Sequence, residues 1–222
     1  AFQSTNSGKQ DGVIFKLTSD LSTLIWSSYF GGSNNDASYS VKVDVSDNVI
    51  FGGGTASNDL SGMSGWQTVY GGGKADGFVV KLSADGSSIL GGSYLGTANY
   101  DQAFFVEVDR VNQIYLVGQS QNGTFPVINS PFVNPGSSQF LIRFDSTLVT
   151  AQNSTVFGSG SSSMDISPSA FLVDICGNIY VSGWGANILQ GTPLNGMPVT
   201  PDAFQGTSPN GFDFYLIVIK RD

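Results

Sequence analysis

The chain has 222 residues, of which 40% are hydrophobic and 12% aromatic, so it carries enough apolar material to build a core. Only 12% of the residues are charged, about half the share usual in soluble domains, and the net charge is −8. No cluster of Lys or Arg exists, which argues against binding to nucleic acid or to anionic lipid. There is no histidine, so the commonest general base and zinc ligand are missing.

One short pattern recurs along the chain. It reads Asp-Gly-Val-Ile-Phe-Lys-Leu at 11–17 and Asp-Gly-Phe-Val-Val-Lys-Leu at 76–82, and it returns in looser form at 139–144 and 213–218. The starts are 65, 63 and 74 residues apart (76−11, 139−76, 213−139). Such a period is typical of stacked supersecondary units. We therefore interpret 1–222 as a single domain, with repeats at about 11–75, 76–138 and 139–212 and the start of a fourth at 213–222.

The second repeat predicts four strands and almost no helix. β-Branched and aromatic residues fill 78–82, 93–96, 104–108 and 114–118, with turn residues between them and a long loop at 119–138. Four antiparallel strands every sixty-odd residues indicate a propeller blade. The predicted fold class is all-β, a β-propeller of four-stranded antiparallel blades, present as about three and a quarter repeats of a larger propeller. A β-solenoid, whose rungs are normally shorter, is the structural alternative.

Three acids recur at the ends of predicted strands, namely Asp44, Asp109 and Asp174. An Asp at the start of a turn can accept backbone N–H bonds, so we expect a structural role, with a cation or ligand contact as the alternative. The single cysteine, Cys176, cannot form an internal disulfide and is expected to be a small buried or turn residue; an intermolecular bridge or a reactive thiol is the alternative.

An aromatic residue recurs in the long loops, seven to ten residues before each repeated strand. These residues are Phe2, Trp66, Phe132 and Phe204. An aromatic side chain in a polar loop is expected to pack against the sheet, where its burial stabilises the fold by roughly 1.5–3 kcal/mol. Stacking on a ligand is the alternative.

With these positions aligned, the chain resembles the bacterial seven-bladed β-propeller repeat family. The resemblance covers nearly the whole chain and is carried by 76–82, by Ser-Tyr-Phe-Gly-Gly-Ser at 28–33, by 173–183 and by Thr-Pro-Asp-Ala-Phe-Gln at 200–205. The last repeat is similar to large surface proteins of Bacteroidota with C-terminal sorting domains of the gliding-associated, type IX secretion kind. The resemblance implies an exported protein without known catalysis. The unit 139–212 departs from the pattern through Gln139 and longer loops, so we expect a distorted blade.

The sequence offers no catalytic constellation. Asp36, Asp101 and Asp165 recur once per repeat, whereas a pocket is made once, so these acids are expected to build the blade. The acid that does not recur, Glu107, is expected to pair with Lys42, which occupies the equivalent place one blade earlier. No catalytic, cofactor-binding or metal-binding residue is therefore assigned, and no cofactor is expected. The oxygen-rich loops 33–36 and 99–101 leave Ca²⁺ as an alternative.

These features predict a non-catalytic structural or adhesive module, exported to the cell surface or beyond, that acts as a scaffold or docking platform in a large secreted bacterial protein. Its expected partners are other chains, or segments of the same protein, that complete the propeller, and also surface glycans. The alternative is a carbohydrate- or protein-binding module that uses the loops 55–75, 119–138 and 184–212, with exposed Trp66 and Trp184 as its mark. A glycan-active enzyme is the third hypothesis. No apolar run is long enough to span a bilayer, and the chain reads as a mature or excised piece.

Overall fold

A computed structural model of the chain describes residues 1–185, 194, 196–208 and 213–220. Within these ranges lie thirteen strands and one 3₁₀ turn, Gln121–Gly123. The strands are β1 Gly12–Leu17, β2 Leu24–Phe30, β3 Asp36–Val43, β4 Val49–Thr55, β5 Asp76–Leu82, β6 Ile89–Leu95, β7 Asp101–Val108, β8 Ile114–Ser120, β9 Gln139–Phe144, β10 Ala151–Phe157, β11 Ile166–Val173, β12 Ile179–Gly185 and β13 Phe214–Ile219. The prediction of an all-β chain is confirmed. No helix in the described ranges is long and apolar enough to cross a membrane.

The strands form four antiparallel sheets, and strands that follow one another in sequence are neighbours in space. The first sheet is β1–β2, the second β3–β4–β5–β6, the third β7–β8–β9–β10 and the fourth β11–β12–β13. The predicted four-stranded antiparallel meander is therefore confirmed for the second and third sheets. The strands of the unit 139–212 pair in the same way as the others, so the expected distortion is not seen in β9 to β12.

The sheets are offset from the sequence repeat by half a unit. The second sheet takes β3 and β4 from the first repeat and β5 and β6 from the second. The long loop 56–75 joins β4 to β5 inside one sheet, whereas the short link 96–100 joins β6 to the first strand of the next sheet. Each repeat therefore contributes half of two neighbouring sheets, which ties those sheets together through the chain itself.

Each first strand, β3, β7 and β11, contains a β-bulge, and a glycine of the next strand lies opposite it. The glycines are Gly53, Gly118 and Gly183. A Cβ atom on Gly53 or Gly118 would overlap the carbonyl oxygen of the bulged strand. Glycine is required here because the backbone of the bulge approaches too closely for any side chain.

Apolar side chains fill each space between consecutive sheets. Phe30 of the first sheet meets Phe51 and Phe78 of the second, each with ring centroids 5.1 Å apart. Val79, on the opposite face of the second sheet, belongs to the cluster formed with the third. A further cluster joins the third sheet to the fourth through residues such as Phe157. Both faces of β4 and β5 in the second sheet, and of β8 and β9 in the third, are therefore buried.

The sheets converge on one side of the molecule. The first strands lie side by side, with β3 against β7 and β7 against β11. Tyr39 of β3 stacks on Phe104 of β7 with ring centroids 5.9 Å apart. No comparable contact joins the last strands β2, β6 and β10, all of which are fully described. The described sheets thus fan outward from β3, β7 and β11.

Candidate functional site: the open sheet faces

The three acids at the strand ends are confirmed as turn residues. The carboxylate of Asp44 accepts the backbone N–H groups two and four residues further on at 2.8 and 3.0 Å. Asp109 accepts the equivalent pair at 3.0 and 2.9 Å, and Asp174 at 2.8 and 2.9 Å. One donor in the last turn is the N–H of Cys176, so the cysteine is an exposed turn residue, as expected.

Replacing Asp109 with Ala should lower the free energy of unfolding by about 1–2 kcal/mol, because two backbone donors and the hydroxyl of Tyr115 lose their acceptor. The neighbouring exposed Arg110→Ala serves as the control and should change stability by less than about 0.5 kcal/mol. Urea titrations of both variants make the comparison. Equal effects would mean that the turn does not depend on its acid.

Two acids that the sequence singled out, Glu107 and Asp44, form ion pairs. Lys42 of β3 bonds Glu107 of β7 at 2.8 Å, so the predicted pair is confirmed and joins two sheets. Lys81 bonds the Asp44 carboxylate at 2.8 Å inside the second sheet. Burial alone would raise the pKa of Asp44, but the Lys81 ammonium and the donors in the turn outweigh burial and lower it. These charged groups therefore stabilise contacts within the second sheet and between the second and third sheets.

The three repeated acids that open the first strands lie in three different sheets. Asp36, Asp101 and Asp165 are buried, and each carboxylate accepts a backbone N–H of the loop before it, at 2.8, 2.6 and 2.7 Å. Asp36 also accepts the hydroxyls of Thr55 and Ser57, partners that sequence reasoning missed. Thr55 lies opposite Asp36 in β4, so only the strand register reveals the contact.

The loop aromatics pack as predicted in the first and second sheets, where they are Phe2 and Trp66. Phe2 lies 6.1 Å from Phe30 of β2, and Trp66 lies 6.0 Å from Phe144. Phe132 is 37% exposed and Phe204 is fully exposed, so the prediction is wrong for Phe204. The loops that carry Phe2 and Trp66 bond to the last strands β2 and β6, and the fourth sheet has no such strand among the described residues.

The two tryptophans proposed as a recognition surface do not lie together. Trp66 is half-buried against the core of the second and third sheets, whereas Trp184 of β12 is 46% exposed. Trp184 stacks on Phe214 of β13, with ring centroids 6.5 Å apart and nearly parallel planes. Much of the loop 184–212, namely 186–193, 195 and 209–212, lies outside the described residues.

One face of the fourth sheet is exposed, although the equivalent face of the second sheet is buried. Register places Leu216 of β13 where β5 has Val79; Val79 is fully buried by the third sheet, whereas Leu216 is 64% exposed. We call this surface the trailing face, formed by Leu172, Trp184, Phe214, Leu216 and Val218. All five are aliphatic or aromatic side chains on adjacent strands of one sheet, and all five are exposed. An apolar patch of this kind marks an interaction surface.

The opposite end of the array is open as well. The strand β1 repeats the sequence of β5, so Val13 occupies the place of Phe78; Val13 is 53% exposed, whereas Phe78 is fully buried. We call this surface the leading face, formed by Val13, Phe15, Val41 and Val43. A groove of about 450 Å³ runs between β1 and the strands β3 and β4, with these residues in its walls. The groove is open and lined chiefly by apolar side chains.

The backbone is unpaired at the same two places. Within the second sheet β5 bonds both β4 and β6, but among the described residues β1 bonds only β2, and β13 bonds only β12. An unpaired strand edge presents free N–H and C=O groups to another strand. The leading and trailing faces therefore combine exposed apolar side chains with free backbone hydrogen-bonding groups.

The described residues contain no group of three or more His, Cys, Asp or Glu side chains that could hold a metal ion. Comparison of the chain with known proteins gave no matching family model and no matching curated protein. The resemblance to bacterial propeller repeats therefore stands on the motifs of this sequence alone.

Proposed function

We propose that the chain is a section of a β-propeller and serves as a non-catalytic scaffold or docking platform of a larger secreted bacterial protein, exported to the cell surface or beyond. One observation carries the proposal. Repeat positions whose side chains are buried in the second sheet have exposed side chains on the leading and trailing faces. The apolar surface of this chain is therefore suited to continuing the array on both sides.

The fan of the sheets supports a propeller over a solenoid. Blades of a propeller converge on their first strands and spread at their last, whereas the rungs of a solenoid stay evenly separated along an axis. The contacts among β3, β7 and β11, without matching contacts among β2, β6 and β10, follow the first arrangement.

Strand numbers indicate what completes the array. The second and third sheets have four strands, whereas the first has two and the fourth has three described strands. Two strands added beside β1 would fill the groove of about 450 Å³ and cover Val41 and Val43, whose counterparts in β7, Val106 and Val108, pack against the second sheet. These strands come from other segments of the same protein or from another chain, joined by backbone pairing at the free edge.

The distribution of polar groups supports a structural rather than a chemical role. The buried acids of the three first strands are engaged by backbone amides of their own loops, and the ion pairs join strands and sheets. A low share of charged residues, with Ser, Asn and Thr instead, suits an exported surface. The similarity of the last repeat to Bacteroidota surface proteins favours adhesion or gliding-associated assembly as the setting.

A peptide of residues 36–55, the β3–β4 hairpin, tests whether the free edge of β1 accepts further strands. In the second sheet this hairpin pairs with β5, and β1 repeats the sequence of β5. Excess peptide should slow hydrogen exchange of the β1 amides that are not bonded to β2, and a scrambled peptide should not. Val13→Asp should abolish this protection by charging the leading face. Leu216→Asp, the same kind of change on the trailing face, should leave it intact. β1 amides that are unaffected by the peptide would contradict the proposal.

The stacked pair Trp184 and Phe214 favours a second candidate, a carbohydrate-binding surface. Exposed aromatic rings of this kind suit the apolar face of a sugar. A further sheet on the trailing face would cover both rings, so the two functions exclude one another at this place. Binding of the chain to a glycan array that is lost in Trp184→Ala but kept in Trp66→Phe would favour the second candidate.

A further inference from the structure

The junction between the second and third sheets contains two carboxylates that form no ion pair with a described Lys or Arg. Asp76 begins β5 and Asp101 begins β7, and both are fully buried. A parallel bridge between Ala75 and Tyr100 holds the two strand starts together, and the N–H of Asp101 donates to the carbonyl of Ala75 at 2.8 Å. The two acids therefore face the same interface from opposite sheets.

Each of the two carboxylates is bonded through Oδ2 by the loop that precedes its strand. Oδ2 of Asp76 accepts the N–H of Gly71 at 2.6 Å, and Oδ2 of Asp101 accepts the N–H of Thr97 at 2.6 Å and its hydroxyl at 2.9 Å. Oδ1 of Asp76 is buried without a hydrogen-bond partner, whereas Asp101 has the Ser120 hydroxyl, opposite it in β8, as a further donor. A buried charged oxygen without a partner is costly, whereas a proton on one carboxyl supplies a donor and removes one charge.

The groups around the pair are acidic or neutral. The phenols Tyr70 and Tyr94 lie near it, and Asp36 and Asp59 lie near the phenols; burial, together with the neighbouring carboxylates, raises the pKa of each phenol to about 12. Of the lysines nearest in sequence, Lys74 is exposed and Lys81 is engaged by Asp44. Neither lysine forms an ion pair with the two acids, as far as the described residues show.

Burial raises the pKa of Asp76 to about 7, and the charge of Asp101 adds to this effect against the N–H donors of the 71–72 backbone. Burial also raises the pKa of Asp101, although the Ser120 hydroxyl and the donors of Thr97 oppose it. Both shifts have the direction expected for two acids that share a buried place.

The other junctions have polar side chains at the equivalent positions, two acids in the first and an amide with an acid in the third. In the first junction a Cβ on Gly31 would lie 2.5 Å from Oδ1 of Asp11 and 2.9 Å from Oδ2 of Asp36, so these oxygens are at most 5.4 Å apart (2.5 + 2.9). In the third junction the fully buried Gln139 replaces the first acid opposite Asp165. A neutral amide thus stands where the other junctions have a carboxyl, and its N–H donates to the carbonyl of Ile166 at 3.4 Å.

We propose that Asp76 and Asp101 share one proton in place of a cation, and that this proton is a pH-sensitive latch between the second and third sheets. When the pH rises, the proton passes to solvent and two negative charges face each other across the junction. The folded chain binds this proton more tightly than the unfolded chain does. The stabilisation is therefore fully present below about pH 4 and is lost as the pH rises to about 7.

The isosteric variant Asp76→Asn tests the latch, because its amide can accept the N–H of Gly71 and also carries the donor that the protonated acid supplies. Between about pH 5 and pH 7 the unfolding equilibrium constant of the native sequence should rise by up to about tenfold per pH unit relative to the variant. Asp85→Asn, in the exposed turn after β5, is the matched control. The free energy of unfolding of Asp85→Asn should differ from that of the native sequence by the same amount at every pH in this range. Parallel curves for the native sequence and Asp76→Asn would overturn the proposal.

Two further measurements keep the test decisive if the variant does not fold. Carboxyl ¹³C shifts of the native chain should show one acid of the pair titrating above pH 6, and midpoints below pH 4.5 for both would refute a shared proton. Excess Ca²⁺ at pH 8 is the second measurement. If it raises the melting temperature of the native chain but not of Asp101→Asn, a cation and not a proton holds the pair, and the latch is wrong.

Discussion

Replacing Phe78 with Ala should lower the free energy of unfolding by about 3–5 kcal/mol. Phe78 is fully buried, with its ring 5.1 Å from that of Phe30 and 5.9 Å from that of Phe51. Its removal would leave a cavity between the first and second sheets, and the rigid strands on both sides can close it only in part. Urea titration followed by tryptophan fluorescence measures the loss.

The same change at Phe15 is the control for Phe78. Phe15 lies on the corresponding face of β1 but is 59% exposed, because no sheet covers the leading face. Phe15→Ala should change stability by less than about 0.5 kcal/mol. A loss at Phe15 as large as that at Phe78 would show that the leading face is packed in solution, which contradicts the open array.

Gly118→Ala should destabilise the chain by about 3 kcal/mol. The added Cβ would overlap the carbonyl oxygen of Gln102 and press on the ring of Phe140, and the backbone of the bulge cannot move without breaking the pairing of β7 with β8. Gly53→Ala, at the equivalent place in the second sheet, should have an effect of similar size.

Gly206→Ala is the matched control for these two variants, because a Cβ at Gly206 meets no atom within 4 Å. It should change stability by less than about 1 kcal/mol in either direction. Thermal unfolding followed by circular dichroism compares the three variants. A melting temperature of Gly118→Ala within the range of Gly206→Ala would mean that the bulge does not approach the glycine as described.

Local sequence predicted the strands and the turns well. Alternating apolar residues and the Asp of each turn mark where a strand begins and ends, and the Lys42–Glu107 pair followed from comparing equivalent positions. The half-repeat offset of the sheets could not be predicted, because β4 pairs with β5 across the loop 56–75. No local pattern specifies which strands pair over such a distance.

The open faces were harder to predict, because a side chain is exposed there only when no neighbouring strand or sheet covers it. Phe204 carries the same loop motif as Phe2, yet it is exposed because its sheet has no described fourth strand to receive it. The Asp76–Asp101 pair had a signal in the sequence. Both of its acids recur at the same spacing of 65 residues (76−11, 101−36), which indicates a shared environment. Only the register between sheets shows that they meet.

The fan of the sheets is tested most directly by distances between pairs of spin labels, in a chain whose native Cys176 is replaced by Ser. One pair, at Tyr39 and Ser169, occupies the bulges of the first strands β3 and β11. The other, at Ile25 and Gln152, occupies equivalent places in the last strands β2 and β10. Each pair spans two sheet spacings, about 20 Å in a straight stack. We expect the first distance to be clearly shorter than the second, and equal distances would contradict the fan.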